Sequence, residues 1–419
     1  MTGALGIAAL FIASAIGVVI GSDPDELTGR SYRYRRQAQI RGDKVPPQVM
    51  YYYYQKGLSI PAKELFSKAT KAWEKDTCVK FKYNATGSLF SYYLGRKLFK
   101  TVMRKMYQNF IAKYAIVVSD NTSICLFTRD QDGDGQVLDA NCRDIGDAMH
   151  EVGHALWLDH THNRYDRDDY VNVSWENIEL YKKQYEKVTK DQSKNYDVPY
   201  DYGSIMHYAF TDEYPPLILK DEKYRNSNTA GSHLISFTDL CLVNKHFRCD
   251  EKCPPEKSAN CTNHGFPNPN NCSTCVCPGG YGGRLCDERP KGCGSIYNAT
   301  KDWKKISRVI KAPYDKKKKF IIIREYSICT NWIKSPNGTK IEVEIEKIAG
   351  LKSWRNIGCV DAAIEIKTNK DQRLTGYRYC TENHAGVTLK SDSNLVPIIT
   401  YTLDRWNALN VTLRYRYVE

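Results

Sequence analysis

Apolar side chains recur at helical spacing in two stretches of the first half of the chain. The stretch Ala62–Lys75 follows Pro61 and carries apolar residues at Leu65, Ala69 and Trp73. Side chains at this spacing share one helix face, and proline is favoured in a first helical turn. The pattern therefore predicts an amphipathic helix.

A second helix is predicted over Asp144–Trp157, where Asp144 or the preceding Arg143 stands at the start. Its apolar positions are Ile145, Ala148, Met149, Val152 and Ala155. The segments CVKFKY and YAIVVSD lie between the two helices and have the composition of strands. Residues 37–249 are therefore predicted to form one domain that contains both helices and strands.

The rest of the chain shows two other patterns. Six cysteines lie between Cys253 and Cys286 in a short stretch rich in Gly, Pro and Asn, which cannot bury a core and requires disulfides. Beyond Cys293, strand-like segments alternate with turn signals, namely KKFIIIREYSI, TKIEVEIEKI, DAAIEIKT, LVPIITYTL and VTLRYRYV. We therefore predict a small disulfide-rich module over 250–287 and an all-β sandwich over 293–419.

The N-terminal run ALGIAALFIASAIGVVIGS ends in small residues and predicts a signal peptide over residues 1–21. No Lys or Arg precedes it, and an uncleaved anchor is the alternative, because a bilayer span needs roughly 20 apolar residues. The 15 cysteines favour an oxidising compartment. Eight N-x-S/T sequons agree, at Asn84, Asn121, Asn172, Asn260, Asn271, Asn298, Asn337 and Asn410. The expected location is extracellular, without stable membrane insertion.

A basic pattern, R-x-R-R, ends the polar segment after the apolar run, at Arg33, Arg35 and Arg36. In an exposed stretch it predicts proteolytic trimming after Arg36 and a pro-segment over 22–36. The alternative is a basic linker.

The formal net charge of +13 would suit a nucleic-acid partner, but secretion argues against one. Anionic matrix glycans or lipid headgroups are the partners that remain. The densest basic run, Lys316–Lys319, is either a solvated loop between strands or a matrix-binding patch.

The stretch HEVGHALWLDH carries the chemistry of the second predicted helix. His150 and His154 are four residues apart, so both imidazoles project from one face toward one metal ion. Glu151 can then reach a water molecule at the metal as general base. His160 supplies a third neutral ligand if the chain turns back, which leaves an open coordination position for water.

Trp157 lies in the turn between His154 and His160. A sharp exit from a helix usually requires a left-handed residue, and glycine adopts that conformation without steric cost. Trp157 would either accept about 1–2 kcal/mol of backbone strain or send the turn by another route. That strain is small beside a zinc affinity on the order of 10 kcal/mol, so metal binding is predicted to survive.

These motifs resemble the astacin family of metzincin zinc endopeptidases. HEVGHALWLDH is followed by HTHNRYDRDDYV and later by SIMHY, and the resemblance extends from TCVKF near Cys78 through Arg164–Val171 to Ser204–Tyr208. It implies an α+β metzincin-type catalytic domain with two lobes around a zinc cleft.

The resemblance also implies roles for individual residues. One zinc ion per chain would be held by His150, His154 and His160, with Glu151 as general base and proton shuttle. Met206 would form the Met-turn beneath the metal. Tyr208 would be an additional zinc ligand that moves away to stabilise the oxyanion of the tetrahedral intermediate.

Two positions depart from the family pattern. Trp157 replaces a glycine, and Thr161 stands where the family has a glutamate that receives the buried mature N-terminus. Threonine cannot make that ion pair, so either maturation differs or hydrogen bonds anchor the N-terminus. Asp23 and Asp25 are weak candidates for the zinc-blocking aspartate of the family's pro-segment.

Cysteine pairing follows from the same resemblance. The implied pairs outside the six-cysteine stretch are Cys78–Cys249, Cys125–Cys142, Cys293–Cys329 and Cys359–Cys380. The six would form an EGF-like module similar to that of nematode astacins, and CGSIY, CTNWI and CVDAAIEI support a CUB domain as the sandwich. Cys241 is left over, and a buried thiol is favoured over a reactive or intermolecular one.

Several other signals are interpreted without a functional role. DQDGDG at Asp130–Gly135 copies half of an EF-hand loop, but Asn141 takes the twelfth position, so a turn is favoured over a weak calcium site. Asp361 and Asp404 could belong to a calcium site of the CUB type. Four histidines are expected to be surface or hydrogen-bonded groups: His162, His207, His233 and His246.

The sequence thus predicts a secreted zinc endopeptidase that hydrolyses internal peptide bonds of extracellular proteins or peptides. The alternative is a secreted binding protein in which an impaired protease domain is a scaffold and the EGF-like and CUB parts recognise partners. Trp157 and Thr161 favour that alternative, whereas the complete set of ligands and base favours the enzyme.

Overall fold

The computed structural model describes residues 46–84, 115–129, 136–209, 215–311, 325–349, 357–403 and 408–419. Several segments singled out in the sequence lie outside these residues: the apolar N-terminal run, Asp23, Asp25, Arg36, Asp130–Gly135, Lys316–Lys319 and Asp404. The interpretations of those segments stay predictions.

The first part of the chain forms a five-stranded sheet in the order β2-β1-β3-β5-β4. The strands are β1 Val49–Tyr54, β2 Lys80–Tyr83, β3 Ile116–Ser119, β4 Cys125–Arg129 and β5 Gln136–Ala140. Four of them run parallel, and the edge strand β4 pairs antiparallel with β5.

Two helices pack beside this sheet: α1 Ile60–Glu74 and α2 Ile145–Ala155. Both were predicted from the spacing of apolar residues, and α2 ends two residues earlier than expected because the chain turns out of the helix after Ala155. Trp73 of α1 is fully buried, and its indole Nε1 donates a hydrogen bond to the carbonyl of Met149, 2.9 Å away. This contact fixes α2 against α1.

The second lobe follows α2 and has little regular structure. It contains the hairpin β6 Val171–Val173 with β7 Leu217–Leu219, the helices α3 Glu222–Arg225 and α4 Phe237–His246, and 3₁₀ turns at Thr161–Asn163, Arg167–Asp169 and Glu179–Tyr185. Ser236 begins α4 with a capping box that includes Asp239.

Disulfides connect these parts as the family resemblance implied. Cys78 is bonded to Cys249, and Cys125 is bonded to Cys142. Cys241 on α4 has no disulfide partner. Burial raises the pKa of its thiol to about 12, which disfavours the reactive thiolate near neutral pH.

The disulfide-rich module follows α4. It has 3₁₀ turns at Cys249–Lys252 and Pro255–Lys257, the hairpin β8 Phe266–Asn268 with β9 Asn271–Val276, and the disulfides Cys253–Cys272, Cys261–Cys275 and Cys277–Cys286. The amide of Asn270 donates to the carbonyls of Glu74, Lys75 and Thr77, each about 3 Å away. The module is thereby attached to the end of α1.

The C-terminal part is a sandwich of two sheets, in the orders β10-β12-β17-β14-β15 and β11-β18-β13-β16. Its strands are β10 Ile296–Asn298, β11 Lys304–Ile310, β12 Ser327–Lys334, β13 Lys340–Ala349, β14 Ala362–Ile366, β15 Tyr377–Tyr379, β16 Thr388–Lys390, β17 Leu395–Thr402 and β18 Leu409–Val418. Two 3₁₀ turns lie at Ile357–Cys359 and Glu382–His384, and the disulfides are Cys293–Cys329 and Cys359–Cys380.

The alternation of β13 explains why the sandwich forms. Ile341, Val343 and Ile345 are fully buried between the sheets, while Glu342 and Glu344 pair with arginines of β18 on the outer face. The predicted fold class, a two-lobed α+β domain followed by a disulfide-rich module and a β sandwich, is confirmed. Among the described residues, no helix combines the length and apolarity needed to cross a bilayer.

Candidate metal centre

The N-terminal end of α2 is held by Asp144. Its carboxylate accepts hydrogen bonds from the backbone N–H groups of Gly146 and Asp147, at 2.7 and 3.2 Å. Such capping satisfies donors that the helix itself leaves free. The helix therefore begins at a defined residue, and the helix face that carries His150 and His154 has a fixed orientation.

Trp157 adopts the left-handed conformation, with φ of 69°. Its N–H donates to the carbonyl of His154 at 3.0 Å, and the N–H of Leu158 donates to Gly153 at 3.0 Å. These two bonds form a Schellman motif, the usual way of ending a helix at a glycine. The turn therefore keeps the geometry of a glycine turn and does not take another route.

Contact with Arg129 of the edge strand β4 helps Trp157 to adopt the left-handed conformation. Its guanidinium carbon lies 3.9 Å from the centre of the Trp157 ring, and its Nη2 donates to the carbonyl of His154 at 3.3 Å. A guanidinium on an indole face contributes about 0.5–2 kcal/mol. This contact offsets strain of similar size at the turn.

Substitution of Trp157 separates these two effects. Trp157→Ala removes the stacking on Arg129 but keeps the strain of a side chain in the left-handed conformation. Trp157→Gly removes both the stacking and the strain. We expect the Gly variant to be more stable than the Ala variant by about 1 kcal/mol, and the Ala variant to be less stable than the parent. Urea unfolding of the full chain measures the difference. An Ala variant equal to or more stable than the Gly variant would contradict strain at this turn.

Three imidazoles converge after the turn. The Nε2 atom of His160 lies 3.2 Å from Nε2 of His150 and 3.2 Å from Nε2 of His154. The Nδ1 atoms of His150 and His154 are each 2.7 Å from a backbone carbonyl, that of Ile205 and that of Leu158 respectively. Each Nδ1 therefore carries the proton, and each Nε2 directs a lone pair at the same point.

This arrangement fits zinc. Bonds of about 2.0–2.1 Å in a tetrahedron place ligand atoms roughly 3.3 Å apart, close to the spacing of the Nε2 atoms. Burial, the proximity of His150 and other neighbours lower the pKa of His154 to about 3, and burial likewise lowers the pKa of His150 and His160. All three are neutral near pH 7, as zinc ligation requires.

Glu151 lies beside this site and is buried. Its Oε2 accepts a hydrogen bond from the N–H of Phe127 in β4, at 2.7 Å. Burial raises the pKa of its carboxyl to about 8. A divalent cation near the carboxylate would favour the ionised form and lower that pKa, so the group is placed to accept and release a proton around neutral pH.

The segment 200–208 lies beneath the three histidines. Met206 is buried against Gly153 of α2. A Cβ atom on Gly153 would lie 2.7 Å from the Met206 sulfur, so only glycine allows this close packing. The ring of Tyr208 lies 4.3 Å, between centroids, from the rings of both His160 and His162. The structure thus brings Met206 and Tyr208 to the three predicted ligands.

Thr161 belongs to a buried network that the sequence did not reveal. Its hydroxyl donates to Ser204 Oγ at 2.8 Å, Ser204 donates to Asp239 at 2.6 Å, and the Thr161 N–H donates to the Met206 carbonyl at 2.9 Å. Burial raises the pKa of Asp239 to about 6. Hydrogen bonds thereby join the residue after His160 to the turn at Met206.

The four other histidines singled out in the sequence lie outside the cluster of three. His162 contacts the Gln184 carbonyl, His207 contacts the Tyr200 hydroxyl, His246 contacts the Tyr196 hydroxyl, and His233 contacts the Asp144 carboxylate. His233 also forms a second group of metal-type ligands with Asp144 and Asp147. Asp144 already caps α2 and Asp147 pairs with Arg143 at 3.1 Å, which makes this group an ion-pair cluster.

Three neutral imidazoles, two of them spaced four residues apart on a helix with a glutamate between them, define a metal centre of the H-E-x-x-H class. The family model of astacin, a peptidase family, matches residues 100–248. The chain is 33% identical over 414 residues to zinc metalloproteinase nas-31 of Caenorhabditis elegans, covering 96% of this chain and 61% of that protein. It is 31% identical over 365 residues to zinc metalloproteinase nas-22 of the same organism, covering 84% of this chain and 90% of that protein.

The chain therefore belongs to the astacin family. It spans 61% and 56% of the lengths of the relatives nas-31 and nas-32. Among solved structures, it is similar to high choriolytic enzyme 1, a hatching enzyme zinc-protease from the medaka fish Oryzias latipes. That match has a TM-score of 0.37 and 24% identity, and covers 48% of this chain and 89% of the other.

Proposed function

We propose that this chain is a secreted zinc endopeptidase that hydrolyses internal peptide bonds of extracellular proteins. The observation that carries the proposal is the convergence of three imidazoles beside the buried carboxyl of Glu151: the Nε2 atoms of His150 and His154 each lie 3.2 Å from that of His160. Membership of a family of zinc metalloproteinases supports the same function.

His150, His154 and His160 would hold a zinc ion, which would supply the Lewis acidity needed to acidify water near neutral pH and to polarise a peptide carbonyl. Glu151 accepts the proton of the attacking water and transfers it to the leaving amine. The Tyr208 hydroxyl, on a ring held against His160, donates a hydrogen bond to the oxyanion of the tetrahedral intermediate.

The edge strand β4 suggests how substrate binds. Its inner edge pairs with β5, and the N–H of Phe127 points the other way, toward Glu151. An extended peptide can add to such an edge through main-chain hydrogen bonds. A peptide bound in this way would have its scissile bond near the metal site, which supports cleavage of internal peptide bonds.

Secretion and glycosylation belong to the same proposal. Seven of the eight sequon asparagines are exposed and Asn84 is half-buried, as glycan acceptors on a folded surface require. We also propose the domain limits 37–249, 250–287 and 293–419, with removal of the pro-segment after Arg36. Contact of the basic surface with anionic glycans stays a prediction.

The scaffold alternative relied on Trp157 and Thr161. Trp157 takes up the conformation of the replaced glycine, and Thr161 is hydrogen-bonded to Ser204. Neither residue displaces a ligand or the base, and the enzyme is therefore the better-supported function.

Metal removal tests the proposal. Protein trimmed after Arg36 should cleave an unfolded protein substrate, lose activity with a zinc chelator and recover it when about one equivalent of zinc is restored. The zinc content of each sample is measured in parallel. A trimmed, folded chain that binds one zinc and cleaves nothing would favour the scaffold.

A further inference from the structure

The C-terminal sandwich reaches the segment that carries Met206 and Tyr208. Asp201 lies at the start of this segment and its carboxylate is fully buried. Thr375 of the sandwich donates to it twice, from the backbone N–H at 3.2 Å and from the hydroxyl at 3.0 Å. The other donors are the Gly203 N–H at 3.0 Å and the Thr238 hydroxyl at 2.9 Å. Asp201 is thus held jointly by the segment 200–208, by α4 and by the sandwich.

The two parts approach closely at Gly203. A Cβ atom at this position would lie 2.4 Å from the Cβ of Thr375, which leaves no room for a side chain. A second close approach occurs between Gly358 and the Gly231 carbonyl oxygen, where a Cβ atom would lie 2.0 Å away. Thr375 therefore packs directly on the turn that leads to Met206.

The edge strand β15 of the sandwich is covered by the catalytic domain. The N–H of Asn228 donates to the carbonyl of Arg378 at 2.8 Å, and the N–H of Arg378 donates to the Thr229 hydroxyl at 3.0 Å. An open edge of this kind would leave unpaired backbone groups and favour aggregation. The catalytic domain satisfies these groups.

Aromatic side chains continue the core across the same boundary. The ring of Tyr224 lies between those of Tyr202, at 4.6 Å, and Tyr377, at 4.7 Å. Its hydroxyl donates to the carbonyl of Thr375 at 2.7 Å and accepts from the amide of Asn369 at 2.6 Å. The second lobe and the sandwich thus share one continuous hydrophobic core.

Buried charged side chains from both parts meet at the boundary. The sandwich contributes Arg378, Lys367 and Glu365, all buried, and the catalytic domain contributes Asp201. Arg378 pairs with Glu365 at 2.9 Å and also donates to Ser232 of the catalytic domain at 2.6 Å. Uncompensated buried charge is strongly destabilising, and the negative charge of Asp201 favours the charged forms of Lys367 and Arg378.

We propose that Thr375 is a positioning residue of the metal centre: through Asp201, the C-terminal sandwich sets the place of the turn that carries Met206 and Tyr208. Only the expected change in kcat rests on the proposed peptidase function. The segment 200–208 reaches the histidines through the Ile205 carbonyl at His150 and the Tyr208 ring at His160. Because the three ligands themselves lie on α2 and the turn after it, we expect loss of the Thr375 hydroxyl to leave zinc bound while Tyr208 is displaced.

Thr375→Val in the full chain tests this positioning role. The substitution keeps the side-chain shape and the backbone donor and removes only the hydroxyl that donates to Asp201. The matched control is Thr400→Val, because the buried Thr400 hydroxyl donates to the Cys329 carbonyl inside the sandwich. Both variants lose one buried hydrogen bond, and only the first touches the turn.

Two measurements are made on each variant at constant zinc content. We expect Thr375→Val to lower kcat about tenfold with little change in KM, and amide hydrogen exchange over 200–208 to be about tenfold faster. Thr400→Val should change neither. Tyr208→Phe in combination with Thr375→Val should lower kcat no further than Tyr208→Phe alone, because both act through one hydroxyl.

Hydrogen exchange separates this inference from the proposed function. If the parent chain shows no peptidase activity, the proposed function fails, while selective acceleration of exchange over 200–208 in Thr375→Val still supports positioning by the sandwich. Equal exchange in the two variants would overturn the inference, as would an unchanged kcat in an active Thr375→Val enzyme.

Discussion

Glu151→Gln is expected to reduce kcat/KM by about 10²–10⁴-fold, the usual contribution of a general acid–base group. Glutamine has nearly the same shape, and its side-chain oxygen can still accept the hydrogen bond from the Phe127 N–H that the carboxylate accepts at 2.7 Å. It cannot take up a proton from water. The fold and the three imidazoles should therefore remain, and only proton transfer should be lost.

The measurement combines steady-state cleavage of a peptide substrate with metal analysis of the same sample. Glu222→Gln, at an exposed glutamate on α3, is the matched control and should retain full activity. A Glu151→Gln variant that keeps more than about a tenth of the activity would contradict the role of Glu151 as the general base. Loss of zinc from this variant would instead assign Glu151 a part in metal binding.

Removal of the Cys78–Cys249 disulfide is expected to have the largest effect on stability. Its cysteines are 171 residues apart, and the chain-entropy model gives about 5 kcal/mol for a loop of this length, against roughly 3 kcal/mol for a short one. Cys78 precedes β2 and Cys249 follows α4, so the bond connects the first lobe to the second.

Replacement of both cysteines by alanine tests this expectation, since both residues are buried in the core. The matched control is the double alanine variant of Cys125 and Cys142. The disulfide that this control removes joins residues only 17 positions apart. Urea unfolding under non-reducing conditions should show the greater loss in the Cys78/Cys249 variant. An equal or greater loss in the control would show that loop length does not determine the contribution of these bonds.

The convergence of the three histidines was predictable because their geometry is local. His150 and His154 lie on a helix whose apolar positions and N-cap Asp144 are evident in the sequence. A spacing of four residues determines the face to which both side chains belong. Convergence of His160 needed only a turn, although the sequence left open which turn Trp157 would form. Arg129, on another strand, helped to decide it through its contact with the ring.

Contacts between distant residues were not predictable. Thr161 and Ser204 are 43 residues apart, Ser204 and Asp239 are 35 apart, and Thr375 is 174 residues from Asp201. Each is a small polar residue with no periodic pattern around it, so nothing local indicates its partner. The sequence accordingly predicted the sandwich as a separate domain, and its participation in the core of the second lobe emerged only from the three-dimensional structure.

The position of β18 has a consequence for the order of events during synthesis. β18 lies between β11 and β13 and pairs with both, so the four-stranded sheet cannot close until Leu409–Val418 has left the ribosome. Since the second lobe shares its core with the sandwich, that lobe cannot complete its packing earlier. The second lobe therefore completes its packing only once β18 has joined the sheet, and a chain cut before Leu409 would lack both the closed sheet and the core that this lobe shares with the sandwich.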